Sequence, residues 1–467
     1  MKRIDVFWLF FTFPVQAATT VRGKIALHLV HHQLFEFTEH YDMASSSEKT
    51  NNAMERLRSA HNMDLLIHNI RNKSVGQKKN DRLPVELHVS QESTELRRTF
   101  IENETGCRLE TLTGKKPFSD LNQLEGNIEN YMGMSMVPTG VIGPLRVMGS
   151  AANGDFFVPL ATSEGALVAS YHRGAKACYL AGGVTSVCLV EGVQRSPLFK
   201  FKDLTEVGTF VAWLLLQKDE FVRITGETSR FAKLIDFKSN IEGNHLMLIF
   251  EYHTGDAAGQ NMVTLCTDAI CQYIIKNAPV QPVFWFLESN YSGDKKATSL
   301  SFSNVRGKKV TSEIVLSEQI VNEVLKTTPE AMAEYWRSST IGIIQSGAIG
   351  AQGHYANGLT ALFIATGQDA ACVAEAATGI TRMELMPDGS LYVSVTLPNL
   401  IVGTVGGGTG LPTQRECLEL MDCYGEGKAR KYAEICGALV LSGEISIAAA
   451  LSAGHFSSAH KKFGRKK

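Results

Sequence analysis

Several features that mark other protein classes are missing from this chain of 467 residues. Its formal net charge is −1, so no global basic field favours nucleic acid as a partner. It has nine cysteines but no Cys-x-x-Cys pair, and most of them stand among Ala, Leu, Val or Ile. This distribution predicts reduced, buried thiols in a cytosolic protein, and it indicates neither a zinc site nor a disulfide framework.

Two glycine signatures are absent as well. The chain contains no Gly-x-Gly-x-x-Gly, so a doubly wound Rossmann domain is not the expected carrier of a dinucleotide. It contains no Gly-x-Ser-x-Gly elbow, which disfavours a non-reductive acyl-CoA hydrolase. Internal repeats are also missing, so a solenoid or propeller is not expected.

Long apolar runs are scarce. One run from Val6 to Val15 follows Met1-Lys2-Arg3 and resembles a signal peptide. It is too short, and too interrupted by Pro14, for an ordinary membrane span. The free-cysteine pattern opposes secretion, and Met43 resembles a second start. We therefore favour a cytoplasmic protein, with a signal or anchor as the alternative.

The remaining composition is typical of a globular enzyme with more than one core. Hydrophobic residues make up 44% of the chain and charged residues 20%. Between residues 184 and 284, short predicted strands, including one at 221–225, alternate with helices at 203–217 and 260–276. This alternation favours a compact α+β insert of the ferredoxin-like kind. After residue 310 we predict mostly helix, at 312–327, 329–341, 357–367 and 432–460.

Three short polar segments, far apart in the sequence, carry the strongest chemical signal: 161–165, 290–296 and 367–371. Glu164, Lys295 and Asp369 offer a carboxyl group that can carry a proton, an ammonium, and a second carboxylate that tunes both. A reaction that places negative charge on a carbonyl oxygen needs such a cation and such an acid. Each segment also has an ordinary interpretation. Glu164 is suited to cap a helix, the charged loop to face solvent, and Asp369 to form a buried ion pair within an apolar helix.

Two glycine-rich segments, 255–261 and 403–409, could present backbone N–H groups to an anion, although each is weak support alone. His460 ends an Ala-rich stretch, where a lone histidine usually makes only a favourable dipole contact.

Taken in order, seven motifs resemble those of the 3-hydroxy-3-methylglutaryl-CoA reductase family, in its soluble, eukaryote-like, NADPH-using class. The resemblance covers roughly residues 90–460 and rests on Glu129–Gly133, Ala161–Gly165, Ser229–Ala232, Asp256–Met262, Asp294–Lys296, Gly367–Ala371 and Gly403–Thr409. It implies two hydride transfers from NADPH to an acyl thioester, giving mevalonate for isoprenoid synthesis and releasing CoA.

The resemblance also implies catalytic roles for four residues. Lys295 would face the oxyanion formed on the thioester carbonyl, and Glu164 would supply the proton to the aldehyde intermediate. Asp369 would link the protonation states of these two groups. His460 would protonate the departing CoA thiolate, for which an imidazolium is suited.

Further residues are implied to hold the ligands, and no metal is expected. The resemblance implies that Ser229 and Arg230 meet the 2′-phosphate of the cofactor, and an arginine fork suits a phosphate dianion. The implied cofactor-binding set is Ser229, Arg230, Asp256, Gly259, Asn261, Gly406, Gly407 and Gly408. The implied substrate-binding set is Glu129, Asn130, Ser170, Arg195, Asp294, Lys296, His354 and Asn357, with Arg195 as partner of the free carboxylate of the hydroxymethylglutaryl group.

The chain departs from the family pattern at some positions. Ser338, next to Arg337, stands where a substrate-binding lysine is usual, and Glu288 stands where the animal form has serine. Ala258 and Gln260 stand where the animal forms have methionine. The phosphorylatable serine of the animal enzyme and the sterol-sensing membrane domain are both missing from the sequence. These departures put the substrate contacts and the regulation in question.

We therefore predict an α+β fold with a large helical catalytic domain, an inserted small ferredoxin-like nucleotide-binding domain and a small helical N-terminal region. In order, the predicted parts are a variable extension at 1–83, a helical domain at 84–132, the large domain at 133–196, the NADP-binding insert at 197–286, the catalytic loop at 287–298 and the rest of the large domain at 299–467. The resemblance further implies a homodimer or homotetramer with its active site at the subunit interface. An NAD-linked enzyme running in the oxidative direction and a non-catalytic CoA-binding relative remain alternatives.

Overall fold

The computed structural model describes residues 83–84 and 89–455, together with His68. The predicted extension at 1–83 thus lies outside the described residues, apart from His68 and Leu83. His460 and the end of the predicted helix at 432–460 also lie outside them.

The longer helices have clear local causes at their ends. The first is preceded by a capping box between Ser90 and Ser93 and is followed by Gly106 in the left-handed conformation. The helices of nine or more residues are α1 (Gln91–Thr105), α2 (Leu167–Leu180), α3 (Leu204–Leu214), α4 (Lys218–Thr228), α5 (Gln260–Asn277), α6 (Pro329–Ser346), α7 (Tyr355–Thr366), α8 (Pro412–Leu420) and α9 (Ala429–Ser452).

Ten strands join into one hydrogen-bonded network. They are β1 (Thr139–Gly149), β2 (Asn153–Ala161), β3 (Val184–Arg195), β4 (Leu198–Lys200), β5 (Lys233–Glu242), β6 (His245–His253), β7 (Phe284–Phe286), β8 (Gly307–Leu316), β9 (Ile380–Leu385) and β10 (Leu391–Leu400).

The network has two parts that share β3. The larger part has the order β2-β1-β3-β8-β10-β9, in which the β1–β3 pair is parallel and the other pairs are antiparallel. The smaller part is antiparallel with the order β7-β4-β6-β5, and α3, α4 and α5 connect its strands. Residues 185–192 of β3 pair with β8, whereas Val193–Arg195 pair with β6. A single strand therefore leads from the large sheet into the small one.

Helix α9 is the centre of the large core. It crosses α2 so closely that a Cβ on Gly174 would lie 1.8 Å from the carbonyl oxygen of Ser442, so only glycine fits there. Among the residues that the structure describes, α9 is the one helix long and apolar enough to cross a membrane, and 83% of its most apolar window is buried in the protein. A core helix passes the same test, so α9 is weak support for a membrane span.

Two predictions of secondary structure are wrong. Residues 221–225 belong to α4, where Phe221, Ile224 and Thr225 are buried at helical spacing although the local sequence is β-branched and aromatic. Residues 312–316 belong to β8. After residue 310 the prediction of mostly helix omitted two strands, β9 and β10, which complete the large sheet, and β10 shows an alternating burial pattern along Leu391–Leu397.

Candidate active site

The loop between β7 and β8 presents Lys295. Its backbone has φ 56°, a left-handed conformation that is uncommon for a side chain of this size. The ammonium Nζ lies 2.7 Å from Oδ2 of Asp369. The two side chains are 40% and 44% exposed, so the predicted ion pair is present but it is not buried. This pair gives the loop a cation that a ligand can reach.

Each member of this pair shifts the titration of the other. The hydrogen bond to Asp369 raises the pKa of Lys295 above its usual range. Burial opposes ionisation of Asp369, but the hydrogen bonds from Lys295 and from the N–H of Ala371 outweigh it, so the pKa of Asp369 is lowered. Lys295 is therefore an ammonium and Asp369 a carboxylate near neutral pH.

The replacement Asp369→Asn is expected to move the alkaline limb of the pH–rate profile to lower pH. If the ammonium form of Lys295 is needed, activity is lost as the pH rises through its pKa, and loss of the carboxylate lowers that pKa. The limb is measured from kcat across alkaline pH. Asp236→Asn is the matched control, since Asp236 pairs with Lys218 at an exposed site. An unchanged limb in Asp369→Asn would contradict the coupling.

A buried ion network supports the loop from below. Arg306 donates through Nη1 to both oxygens of Glu375, at 2.5 and 2.6 Å, and through Nη2 to Asp294 at 2.8 Å. Glu375 also accepts from the backbone N–H of Lys295 at 3.3 Å. Burial raises the pKa of Glu375, although Arg306 opposes this effect. The network therefore fixes the backbone of Lys295 through a hydrogen bond to a buried carboxylate.

The glycine turn at 406–408 lies against the segment that carries Asp369. The side-chain amide of Gln368 pairs with Gly403 in both directions, at 2.9 and 3.0 Å. A Cβ on Gly367 would lie 2.2 Å from the carbonyl oxygen of Gly408, and Gly367 itself has φ 68°. Gly406 and Gly407 also have positive φ values, of 75° and 54°. The close contact therefore brings the predicted anion-binding turn beside Asp369.

The second glycine segment leads into α5. Gly259 has φ 79° and precedes α5, Asn261 is exposed in the first turn, and no side chain of the described residues caps the N-terminus of this helix. Asp256 accepts from the backbone N–H groups of Gly427 at 2.8 Å and Ala429 at 3.0 Å, and so caps α9. Free N–H groups at the start of α5 are suited to hold a phosphate.

Ser229 and Arg230 lie at the end of α4. The hydroxyl oxygen of Ser229 accepts from the N–H groups of Phe231 and Ala232 at 3.3 and 3.2 Å. The guanidinium of Arg230 is exposed and lies 4.7 Å from the centre of the Phe231 ring. It is therefore accessible to an anionic ligand.

A separate cleft of about 460 Å³ contains Glu164, Ser170, His354 and Asn357. Asn357 donates to Oε2 of Glu164 at 2.8 Å. Nδ1 of His354 lies 3.2 Å from Glu444, and its buried Nε2 has no hydrogen-bond partner among the described residues. Ser170 contacts Ser446 on α9. The cleft combines a carboxyl group with an unpaired imidazole nitrogen.

Other predicted substrate contacts have different surroundings. Glu129 and Asn130 are exposed before β1, and Lys296 is exposed with its ammonium 3.0 Å from the carbonyl oxygen of Asp294. Arg195 is buried and donates to Glu288 at 3.0 Å and to Asp294 at 3.2 Å.

The structure brings together some of the predicted catalytic residues. Lys295 and Asp369 meet, whereas no hydrogen bond or ion pair joins Glu164 to either of them within the described part of the chain. Sequence reasoning missed Arg306, Glu375 and Glu444. The available signal was a carboxylate in an apolar stretch, which requires a buried partner.

Residues 93–465 match the family described as Hydroxymethylglutaryl-coenzyme A reductase. The 3-hydroxy-3-methylglutaryl-coenzyme A reductase of Pyrococcus horikoshii is 42% identical over 381 residues, which are 80% of this chain and 92% of that protein. The enzyme of the same name from Methanocaldococcus jannaschii is 41% identical over 378 residues, again 80% of this chain and 93% of the relative.

The fold is similar to a solved structure. The class II 3-hydroxy-3-methylglutaryl-CoA reductase from Streptococcus pneumoniae, bound to NADPH in open conformations, has a TM-score of 0.62 with 19% identity. The match covers 78% of this chain and 97% of that one. The resemblance predicted from seven motifs is thus confirmed over most of the length. The chain belongs to the hydroxymethylglutaryl-coenzyme A reductase family.

Proposed function

We propose that this chain reduces 3-hydroxy-3-methylglutaryl-CoA to mevalonate and free CoA, with two NADPH and two protons consumed. The observation that carries the proposal is the Lys295–Asp369 contact of 2.7 Å beside the glycine turn at 406–408. Family membership supports the same reaction. The test is the oxidation of NADPH on addition of the thioester, with mevalonate identified as the product. Oxidation without mevalonate would contradict the proposal.

Lys295 and Glu164 carry the proton and charge chemistry in this proposal. The ammonium of Lys295 stabilises negative charge on the thioester oxygen, and later on the aldehyde oxygen. Glu164, held by Asn357, gives its proton to the oxygen that becomes the hydroxyl. His460 gives a proton to the thiolate of CoA. NADPH, when bound, supplies the hydride for each reduction.

The nucleotide site is proposed from the residues that surround two anion-binding backbones. The uncapped start of α5 and the positive φ values at Gly406 and Gly407 fit a diphosphate. Asp256 positions this region by capping α9, and Arg230 is exposed for the 2′-phosphate. The order β7-β4-β6-β5, with helical connections, supports a ferredoxin-like nucleotide domain at 197–286.

The replacement Arg230→Gln is expected to raise KM for NADPH about tenfold to a hundredfold, because a charge-assisted phosphate contact is lost. KM for NADH should change little, since NADH has no 2′-phosphate. Arg223→Gln, which removes another exposed guanidinium from α4, is the control. Equal effects on NADPH and NADH would contradict the assignment and favour the NAD-linked alternative.

The remaining proposals concern assembly and location. Glu164 and Lys295 lie in different sites of one chain, which supports an active site completed between two subunits of a homodimer or homotetramer. Light scattering during turnover tests this, and an active monomer would contradict it. The nine cysteines are all buried and free, which supports a cytoplasmic location. Cell fractionation tests this location, and secretion would contradict it.

A further inference from the structure

Arg195, the residue proposed to bind the free carboxylate of the substrate, is already neutralised within this chain. Its Nη1 donates to Oε2 of Glu288 at 3.0 Å and to Oδ2 of Asp294 at 3.2 Å, and the side chain is only 9% exposed. Its Nη2 donates to the carbonyl oxygen of Gln260 at 3.4 Å. A guanidinium shared by two carboxylates has little attraction left for a third.

The neighbouring charges do not restore a positive field. Arg306 is bonded to Asp294 and to Glu375, so two guanidinium groups face three carboxyl groups in one network. The ammonium of Lys295 is already paired with the carboxylate of Asp369. With the exposed ammonium of Lys296 beside Asp294 also counted, four cations stand against four carboxyl groups, so an incoming carboxylate would enter a cluster with no net positive charge.

Glu288 is held in place by its own loop. Its Oε1 accepts from the N–H of Asn290 at 2.8 Å, and its Oε2 accepts from the hydroxyl of Ser292 at 3.1 Å. The side chain is 24% exposed, so it lies at the solvent edge of the network rather than beneath it. Glu288 therefore lies on the more exposed side of the network that holds Arg195.

We propose that Glu288 is a specificity-determining residue whose carboxylate occupies Arg195 in place of the terminal carboxylate of an acyl-CoA. An acyl chain that ends in a carboxylate must displace Glu288 or lie beside it, and both cost binding energy. An acyl chain of the same shape with an uncharged end meets neither cost. The site thus accepts 3-hydroxyacyl thioesters with uncharged ends more readily than its cationic residues suggest. This inference rests on the proposed function and on the placement of the acyl carboxylate at Arg195 that the family resemblance implies.

The test compares two thioesters that differ only at the acyl end. 3-Hydroxy-3-methylglutaryl-CoA carries the carboxylate, and 3-hydroxy-3-methylpentanoyl-CoA has a methyl group in its place. Binding to the full chain is measured by calorimetry for the parent, Glu288→Gln and Glu288→Asp. Glu384→Gln is the control, because Glu384 pairs with Arg382 on the exposed strand β9. Thermal melting of each variant checks that the fold is intact.

Glu288→Gln is expected to tighten binding of the carboxylate-bearing thioester about tenfold or more, since a like charge is removed. Binding of the uncharged thioester should change by less than about twofold, and Glu288→Asp and Glu384→Gln should resemble the parent. In turnover, KM for the carboxylate-bearing thioester should fall with little change in kcat.

Two results in Glu288→Gln would overturn the inference: equal changes in the affinity for both thioesters, or weaker binding of the carboxylate-bearing one. Either result would show that Glu288 only supports the loop. Failure of both thioesters to bind any variant would overturn it as well. If both bind but neither supports NADPH oxidation, the proposed function fails, while the binding comparison still decides the role of Glu288.

Discussion

Replacing Lys295 by methionine is expected to lower kcat for thioester reduction by about 10²–10³-fold, the usual effect of losing a donor to a developing oxyanion. Methionine keeps an unbranched side chain of similar length but removes the charge that pairs with Asp369 at 2.7 Å. NADPH affinity should remain within about twofold, because the proposed nucleotide contacts lie on other segments. Single-turnover oxidation of NADPH measures the chemical step directly.

Lys218→Met is the matched control for this change. Lys218 forms an ion pair of the same kind, with Asp236 at 3.1 Å, and both side chains are exposed. Its removal should leave kcat unchanged. Retention of more than about a tenth of kcat by Lys295→Met would exclude Lys295 as the main oxyanion partner.

Replacing Glu375 by leucine is expected to lower the free energy of unfolding by about 3–5 kcal/mol, the range for breaking a buried ion pair. Glu375 is completely buried, and the side chain of Arg306 is 2% exposed. Arg306 cannot lose its proton, so among the described residues it would keep only Asp294 as an ion-pair partner. Urea unfolding followed by circular dichroism measures the loss.

The double variant Arg306→Met/Glu375→Leu separates pairing from packing. It removes both charges, so it should recover part of the stability that the single variant loses. Glu384→Leu, at the exposed pair with Arg382, should cost about 1 kcal/mol or less. A loss of that small size in Glu375→Leu would show that the buried network is not a main support of the loop.

The sequence predicted those parts of the fold that have strong local signals. Helix α5 and its bounds follow from helical spacing after a glycine, and they agree with the prediction within one residue. The prediction of a strand at 221–225 was wrong because packing against neighbouring elements makes this β-branched, aromatic run a helix. Strand β10 was missed although its alternation was visible at Leu391, Val393 and Val395.

The residues of the site could be predicted only where a short sequence motif contains them. Lys295 and Asp369 come from such motifs, and the structure joins them. Nothing in the sequence pairs Arg306 with Glu375, which are 69 positions apart, because only the folded sheet brings them together. The sequence identifies Arg195 as a cation. Its ion pair with Glu288 could not be predicted, because that pair depends on the conformation of one loop.

The shared strand β3 has a mechanical consequence. The chain leaves the large sheet through β3 and re-enters it through β8, and Gly192 and Gly307 lie opposite each other at the crossing. The smaller part of the network is thus joined to the larger part through two adjacent strands. The side-chain amide of Gln194 donates to the carbonyl oxygen of Val305, and Arg195 donates to the carboxylate of Asp294. Both contacts join the end of β3 to the chain segment that leads into β8. Any bending at these two strands would therefore strain the contact between Arg195 and Asp294, the residue that precedes Lys295.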